Sequence, residues 1–100
     1  MNITKKMNDG ILEVTVEGRL DTSNATQLDD ELKASINEAN ALVMDFSKLD
    51  YISSAGLRVL LSANKNLVKR GKEAIKVTNA NDIVKEVFEV TGFSDILNIA

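Results

Sequence analysis

The residues best placed for chemistry are two adjacent serines, Ser53 and Ser54, which stand just before a helical apolar pattern. A serine at the start of a helix can accept a hydrogen bond from a free backbone amide, a capping role that contributes about 1 kcal/mol. It can also carry a phosphate, because the free amides and the positive end of the helix dipole favour negative charge there. From the residues alone, both roles stay open.

The composition restricts the other reactions that the chain could perform. Among 100 residues there is no His and no Cys, which excludes an imidazole general base, a Ser-His-Asp or Cys-His nucleophile and a thiolate or imidazole metal site. A hydrolase that pairs Ser54 with Asp45 or Asp50 is a remote alternative. No glycine-rich phosphate loop is present, and nucleotide binding stays open. We expect no enzyme activity, no cofactor and no metal.

Charge and hydropathy bear on location and partners. Twelve Lys and Arg face 15 Asp and Glu, for a net charge of -3, and only 4% of the residues are aromatic. This balance argues against a nucleic-acid partner, which needs a basic surface and aromatic side chains for stacking. No apolar run is long enough for a membrane span or a signal peptide. We expect a cytoplasmic protein that does not insert into a membrane and is a monomer when free.

The elements that position the serines form one predicted α/β domain over residues 1–100. The predicted order is β-β-α-β-α-β-α-(α), with a four-stranded mixed sheet and helices packed against it. The predicted strands are an edge strand over 3–7, a strand over 11–18 after the turn Asn8-Asp9-Gly10, a strand over 41–46 covered on both faces, and a strand over 73–78. Helices are predicted over 23–39 with Asn24 and Gln27 as a capping pair, from the serines to Gly71, over 83–91, and over 94–97 as a short closing turn.

Two polar connectors are expected to meet at one edge of this sheet. They cover residues 18–23 and 45–54, and the carboxyl ends of parallel strands gather at the same edge. Gly56, in the first helical turn, costs about 1 kcal/mol relative to Ala, so it needs a reason. Either the helix packs closely on the sheet there, or the glycine makes room for a partner. Arg58 is either a solvated charge or a phosphate ligand.

Three segments together resemble the STAS domain of the bacterial anti-sigma factor antagonist family: Val16–Asp21, Leu42–Ser47 and Tyr51–Leu57. The resemblance extends along essentially the whole chain. It implies a protein that binds an anti-sigma factor, often a serine kinase, and so releases a sigma factor. It also implies that the kinase phosphorylates a loop serine or threonine and that a serine phosphatase restores the unmodified state. A second implied role is that of a non-enzymatic subunit of a lipid-transport ABC system, which the residue at position 53 mildly favours.

The resemblance also implies site residues. The family loop commonly reads Asp-Ser-(Ser/Thr/Ala)-Gly-Leu, and its last two residues match Gly56 and Leu57. Ser54 then matches the first hydroxyl and is the predicted phosphoacceptor, with Ser53, in place of the family Asp, as the second choice. Arg58 stands where such regulators often have Gly. The predicted partner surface comprises Asp21, Thr22, Ser53, Ser54, Ala55, Gly56, Leu57 and Arg58.

Overall fold

The computed structural model describes all 100 residues. Six strands, three α-helices and two short 3-10 helices follow one another along the chain. The strands are β1 (Asn2–Asn8), β2 (Ile11–Leu20), β3 (Ala41–Asp45), β4 (Leu49–Ile52), β5 (Lys76–Thr78) and β6 (Asn98–Ile99). The α-helices are α1 (Ala25–Ser35), α2 (Ser54–Lys69) and α3 (Asp82–Thr91), and the 3-10 helices cover Ile36–Glu38 and Phe93–Asp95.

The chain begins with the predicted hairpin. β1 runs antiparallel to β2, with Asn8 opposite Ile11. The two turn residues, Asp9 and Gly10, have φ values of 53° and 80°. Positive φ at both positions is what a tight two-residue hairpin turn with the correct twist requires. The sequence Asn-Asp-Gly therefore predicts this turn correctly.

β2 changes its neighbour along its length. Over residues 11–15 it pairs in parallel with β3, and near Leu20 it pairs in parallel with β4. The register shifts between Gly18 and Arg19, where Gly18 has a φ of 99° that suits glycine. The remaining order of the sheet is β1-β2-β3-β5-β6. β4 thus brings the chain that leads into α2 alongside the end of β2.

The predicted four-stranded sheet and its element order are wrong, because β4 and β6 were missed. Residues 47–53, predicted as a connector, contain β4, and the predicted closing helix over 94–97 is replaced by the 3-10 helix and the approach to β6. β4 has four residues and β6 has two. Strands this short show too few alternations for a pattern to identify them.

The core lies between the helices and one face of the sheet. Val14 and Met44 are fully buried on that face and lie opposite each other in the β2–β3 ladder. On the other face Glu13 is exposed and its partner Val43 is partly exposed. The prediction that the strand over 41–46 is covered on both faces is therefore wrong, and the fold has two layers. None of the helices is both long and apolar enough to cross a lipid bilayer.

α1 and α2 are joined at their C-terminal ends by Arg70. Its Nη2 donates to the carbonyl oxygens of Ile36 at 2.7 Å and Ala39 at 3.1 Å, and its Nε donates to Asn66 Oδ1 at 2.9 Å. Gly71, with a φ of 77°, then ends α2 as predicted. The N-terminal ends of the two helices lie at the opposite end of the layer, where the polar connectors are.

Candidate functional site

The two polar connectors meet where β2 and β4 end. Leu20 and Ile52 are partners in the parallel ladder, and the Ser53 amide donates to the Leu20 carbonyl oxygen at 2.9 Å. The loop after β2 and the start of α2 are therefore neighbours, as predicted. We call the exposed and half-exposed residues at this junction the loop surface: Asp21, Thr22, Ser54, Ala55 and Arg58.

Asp21 carries a fixed negative charge on the loop surface. Its Oδ1 accepts hydrogen bonds from the Ser23 hydroxyl at 2.6 Å and the Ser23 amide at 3.0 Å. These bonds, and then the nearby Arg19 guanidinium, hold the pKa of the Asp21 carboxyl below its usual range. Asp21 is therefore ionised at neutral pH and a second negative group brought close to it meets repulsion.

The Asp21 loop is held in shape by Asn24. Asn24 Oδ1 accepts from the Asp21 amide at 2.9 Å, and its Nδ2 donates to the Arg19 carbonyl oxygen at 2.7 Å. Asn24 occupies the N-cap position of α1 but makes no side-chain cap, so the predicted capping pair with Gln27 is wrong. The three-residue spacing from Asp21 was the only sign of this role in the sequence.

Arg19 and Tyr51 form a second contact between the two loops that sequence reasoning missed. The Arg19 guanidinium lies 4.7 Å from the centre of the Tyr51 ring, a cation–π distance. The Arg19 Nε is also 4.0 Å from Asp21 Oδ2. Arg19 and Tyr51 occupy opposed positions in the β2–β4 ladder. Only knowledge of β4 would have placed them together.

The two serines have different surroundings. Ser53 is the N-cap residue of α2, but its side chain makes no capping bond, and its Oγ is buried without a hydrogen-bond partner. Ser54 is the first residue of α2 and is exposed. The amides of Ser54, Ala55 and Gly56 donate to no backbone or side-chain acceptor. The start of α2 is thus uncapped, and neither serine has the capping role that the sequence allowed.

Gly56 and Leu57 lie beneath the loop surface. A Cβ atom on Gly56 would be 2.7 Å from Leu20 Cγ and 2.8 Å from Ile52 Cγ1, closer than side chains tolerate. Close packing on the sheet is therefore the reason for this glycine. Leu57 as a residue is 6% exposed. Of the predicted surface residues, these two support the start of α2 from below and present almost no side-chain area to a partner.

A cleft between the N-terminal ends of α1 and α2 continues the loop surface. It has a volume of about 280 Å³, and its walls include Thr22 and Thr26 on one side and Ala55 and Arg58 on the other. A separate, smaller cavity of about 80 Å³ lies farther along the same helix pair, near Ile36. The site is thus a shallow surface rather than a pocket that encloses a small molecule.

The hydroxyl of Ser54 makes no hydrogen bond to Asp45 or Asp50, whereas Asp45 Oδ1 accepts from the Ser47 amide at 2.9 Å and Asn79 Nδ2 at 3.2 Å. No three His, Cys, Asp or Glu side chains are grouped closely enough to hold a metal ion. What the geometry offers is an exposed serine beside a charged loop.

Comparison with known proteins identifies the family of the chain. The STAS domain profile matches residues 2–100, so the chain belongs to the STAS domain family, and the resemblance seen in the sequence is confirmed. BtrV of Bordetella bronchiseptica, which carries the name of an anti-sigma factor antagonist, is 39% identical over 101 residues, covering 100% of this chain and 86% of BtrV. The anti-sigma-B factor antagonist of Bacillus subtilis is 26% identical over 100 residues, covering 100% and 91%.

A solved structure shows the same fold. The anti-sigma factor antagonist SpoIIAA in its unphosphorylated form matches with a TM-score of 0.85 at 18% identity, covering 99% of this chain and 88% of that one. The phosphorylated form of the Bacillus protein SpoIIAA matches with a TM-score of 0.78 at 17% identity, covering 99% and 91%. At this level of identity the likeness concerns the fold alone.

Proposed function

We propose that this protein is a cytoplasmic, non-enzymatic anti-sigma factor antagonist. It binds an anti-sigma factor through the loop surface and so releases a sigma factor, and phosphorylation of Ser54 by the anti-sigma factor kinase ends the binding. The observation that carries the proposal is the exposed Ser54 hydroxyl at an uncapped helix start beside the Asp21 loop. The names of BtrV and of the anti-sigma-B factor antagonist support it.

Exposure favours Ser54 over Ser53 as the phosphoacceptor. A kinase must bring the hydroxyl oxygen in line with the phosphorus atom that it attacks. The Ser53 Oγ is shielded from solvent, while Ser54 is on the surface. Modification of Ser53, the second choice, would require the start of α2 to move first. SpoIIAA, which has a phosphorylated form, supports the existence of such a switch within this fold.

The proposed switch is a phosphoryl transfer followed by its hydrolysis. The Ser54 Oγ bonds to the γ-phosphorus of a nucleoside triphosphate while the bond to the bridging oxygen breaks. The nucleoside diphosphate leaves, and the hydroxyl proton passes to a base of the kinase. A serine phosphatase reverses the state with water, which gives inorganic phosphate and the free hydroxyl. The chain itself supplies only the acceptor oxygen.

The charge change is large enough to end binding without refolding. A phosphate adds a charge of about -1.5 to -2 at neutral pH. About 6 to 8 Å from a partner carboxylate, at an effective dielectric constant of about 20 to 40, it costs on the order of 2 to 4 kcal/mol. This corresponds to roughly 30- to 1,000-fold in affinity. The ionised Asp21 beside it makes the surface more negative still.

The proposal is tested by calorimetric titration of the anti-sigma factor that co-purifies from the native host. We expect Ser54→Ala to bind like the unmodified protein and Ser54→Asp to bind at least about ten-fold more weakly, a step of about 1.4 kcal/mol. Ser53→Ala is the matched control and should leave both binding and kinase labelling intact. Equal binding by the unmodified, Ser54→Asp and kinase-treated proteins would contradict the switch.

The same purification separates this function from the second candidate. Recovery of an anti-sigma factor, with phosphate on the peptide containing Ser54, supports the antagonist. Recovery of a transporter ATPase with an unmodified Ser54 would instead assign the chain to a lipid-transport ABC system, in which Ser54 would be an ordinary surface residue.

A further inference from the structure

Arg58 is an unpaired cation one helical turn from Ser54. Both residues are exposed, and a spacing of four residues places their Cβ atoms on the same face of α2, about 5 to 6 Å apart. Side chains on a helix lean toward its N-terminus, so the long Arg58 side chain is able to reach the position of Ser54. The start of α2 carries no acidic residue that could occupy the guanidinium.

The opposite wall of the cleft also leaves Arg58 free. Its acidic residue, Asp29, is already paired with Lys33, whose Nζ lies 2.7 Å from Asp29 Oδ2. Arg58 itself forms no salt bridge, whereas Arg19 has both Asp21 and the Tyr51 ring as neighbours. The Arg58 guanidinium, on the loop surface, therefore has no anionic partner.

We propose that Arg58 is the residue that binds the phosphate of phosphorylated Ser54. The inference rests on the proposed phosphorylation of Ser54 and names the group that receives its product. A guanidinium donates two parallel N–H bonds to two phosphate oxygens, which a solvated lysine does not match. Arg58 would thereby fix the phosphate over the mouth of the cleft. It is a positioning residue, since it acts on the modified serine and takes no part in the transfer.

Pairing with Arg58 has a measurable effect on the phosphate itself. The second pKa of phosphoserine is near 6, and a bound guanidinium stabilises the dianion, so this pKa falls. At neutral pH the paired phosphate then carries nearly its full double charge. A stabilising contact that did not involve the phosphate would leave this pKa unchanged.

The test uses protein with phosphoserine inserted at position 54 during translation, so that no kinase is needed. The phosphate is titrated by phosphorus NMR in the wild-type chain, in Arg58→Gln and in the control Lys65→Gln. Lys65 is also exposed and unpaired on α2, but eleven residues along the helix it is about 16 Å away, beyond the screening length of physiological salt. All three substituted positions are on the surface, so folding is retained.

We expect Arg58→Gln to raise the second pKa of the phosphate by about half a unit, about a three-fold change in proton affinity. Arg58→Lys, which keeps the charge without the two-pronged geometry, should give an intermediate value, and Lys65→Gln should titrate like wild type. Coincident titrations of Arg58→Gln and wild type would overturn the inference while leaving the proposed function intact. Absence of phosphate on Ser54 in the native host would contradict the proposed function and not this measurement.

Discussion

The first turns of α2 and α3 are built in opposite ways. At α3, Asn81 Oδ1 accepts from the Val84 amide at 2.8 Å, and its Nδ2 donates to the Leu49 carbonyl oxygen at 3.1 Å. Asp82 adds negative charge near the positive end of the dipole. At α2 the N-cap Ser53 makes no such bond, and the first turn contains no acid.

The comparison shows that a helix start can be attached by packing instead of by hydrogen bonds. Gly56 brings the backbone of α2 against Leu20 and Ile52, and this contact holds the helix in place. The backbone amides in the first turn of α2 consequently have no acceptor within the chain and can bind another group. The start of α3 is a structural joint, whereas the start of α2 is a surface on which an added negative charge finds free donors.

The largest effect should come from removing the α3 cap. Asn81→Ala loses the bond to the Val84 amide and leaves the Leu49 carbonyl oxygen without its donor, so we expect a loss of about 2 kcal/mol in the free energy of unfolding. Urea denaturation measures it, with Ser53→Ala, the N-cap residue of α2, as the matched variant. Equal losses in the two variants would remove the distinction between the helix starts.

Gly56→Ala should have the next largest effect on stability, and it tests whether packing holds the start of α2 in place. The new Cβ collides with Leu20 and Ile52, which costs about 1 to 3 kcal/mol, while the better helix propensity of Ala returns about 1. We expect a net loss of up to about 2 kcal/mol by the same denaturation measurement.

A double-mutant cycle supplies the control for Gly56→Ala. In a Leu20→Ala background one of the two colliding side chains is absent, so adding Gly56→Ala should cost less than it does alone. If both backgrounds gave the same loss, the contact with Leu20 would not be what requires a glycine at this position.

Ser53→Ala should have a small effect of the opposite sign. The Ser53 Oγ is buried without a partner, so its removal relieves a desolvation cost and should leave stability unchanged or raise it by up to about 1 kcal/mol. Thermal denaturation alongside Ser54→Ala, which should be neutral, measures the difference. A clear loss of stability in Ser53→Ala alone would mean that this hydroxyl caps α2 after all.

The smallest effect should come from Asp45, whose carboxylate loses its hydrogen bonds when it is protonated at low pH. The Ser47 amide, and also Asn79, hold the pKa of the Asp45 carboxyl below its usual range. Its carboxylate therefore stabilises the fold above the unfolded-state pKa of about 4, and this contribution disappears as the pH falls through the lower folded-state pKa. Asp45→Asn should lose less stability than wild type between pH 7 and pH 3 in urea denaturation. An unchanged acid loss would show that Asp45 does not contribute to it.

Local signals in the sequence predicted much of the fold. Gly92, with a φ of 83°, ends α3 where the apolar spacing stops, and the turn before β2 is encoded by Asn8-Asp9-Gly10. β4 could not be predicted, because its four residues pair with β2 only after the register shift at Gly18. A strand of this kind is specified by its neighbour, which the local pattern does not describe.

The candidate site was predicted in the same uneven way. That the Asp21 loop and Ser54 would be neighbours followed from the gathering of strand ends at one edge. The different surroundings of the two serines did not, since the burial of the Ser53 Oγ is set by tertiary packing that the local pattern does not describe.

Arg70 ties the two helices together near their C-terminal ends. It joins the far end of α2 to the carbonyl oxygens of Ile36 and Ala39, while the cleft lined by Thr22 and Arg58 lies at the other end. If the angle between the helices changed while this joint held, their N-terminal ends would move farthest, because they lie farthest from it. With 16 residues, α2 is a lever about 24 Å long. A partner that separated the helices at the loop surface would therefore act at the end of the helix pair that is farthest from Arg70.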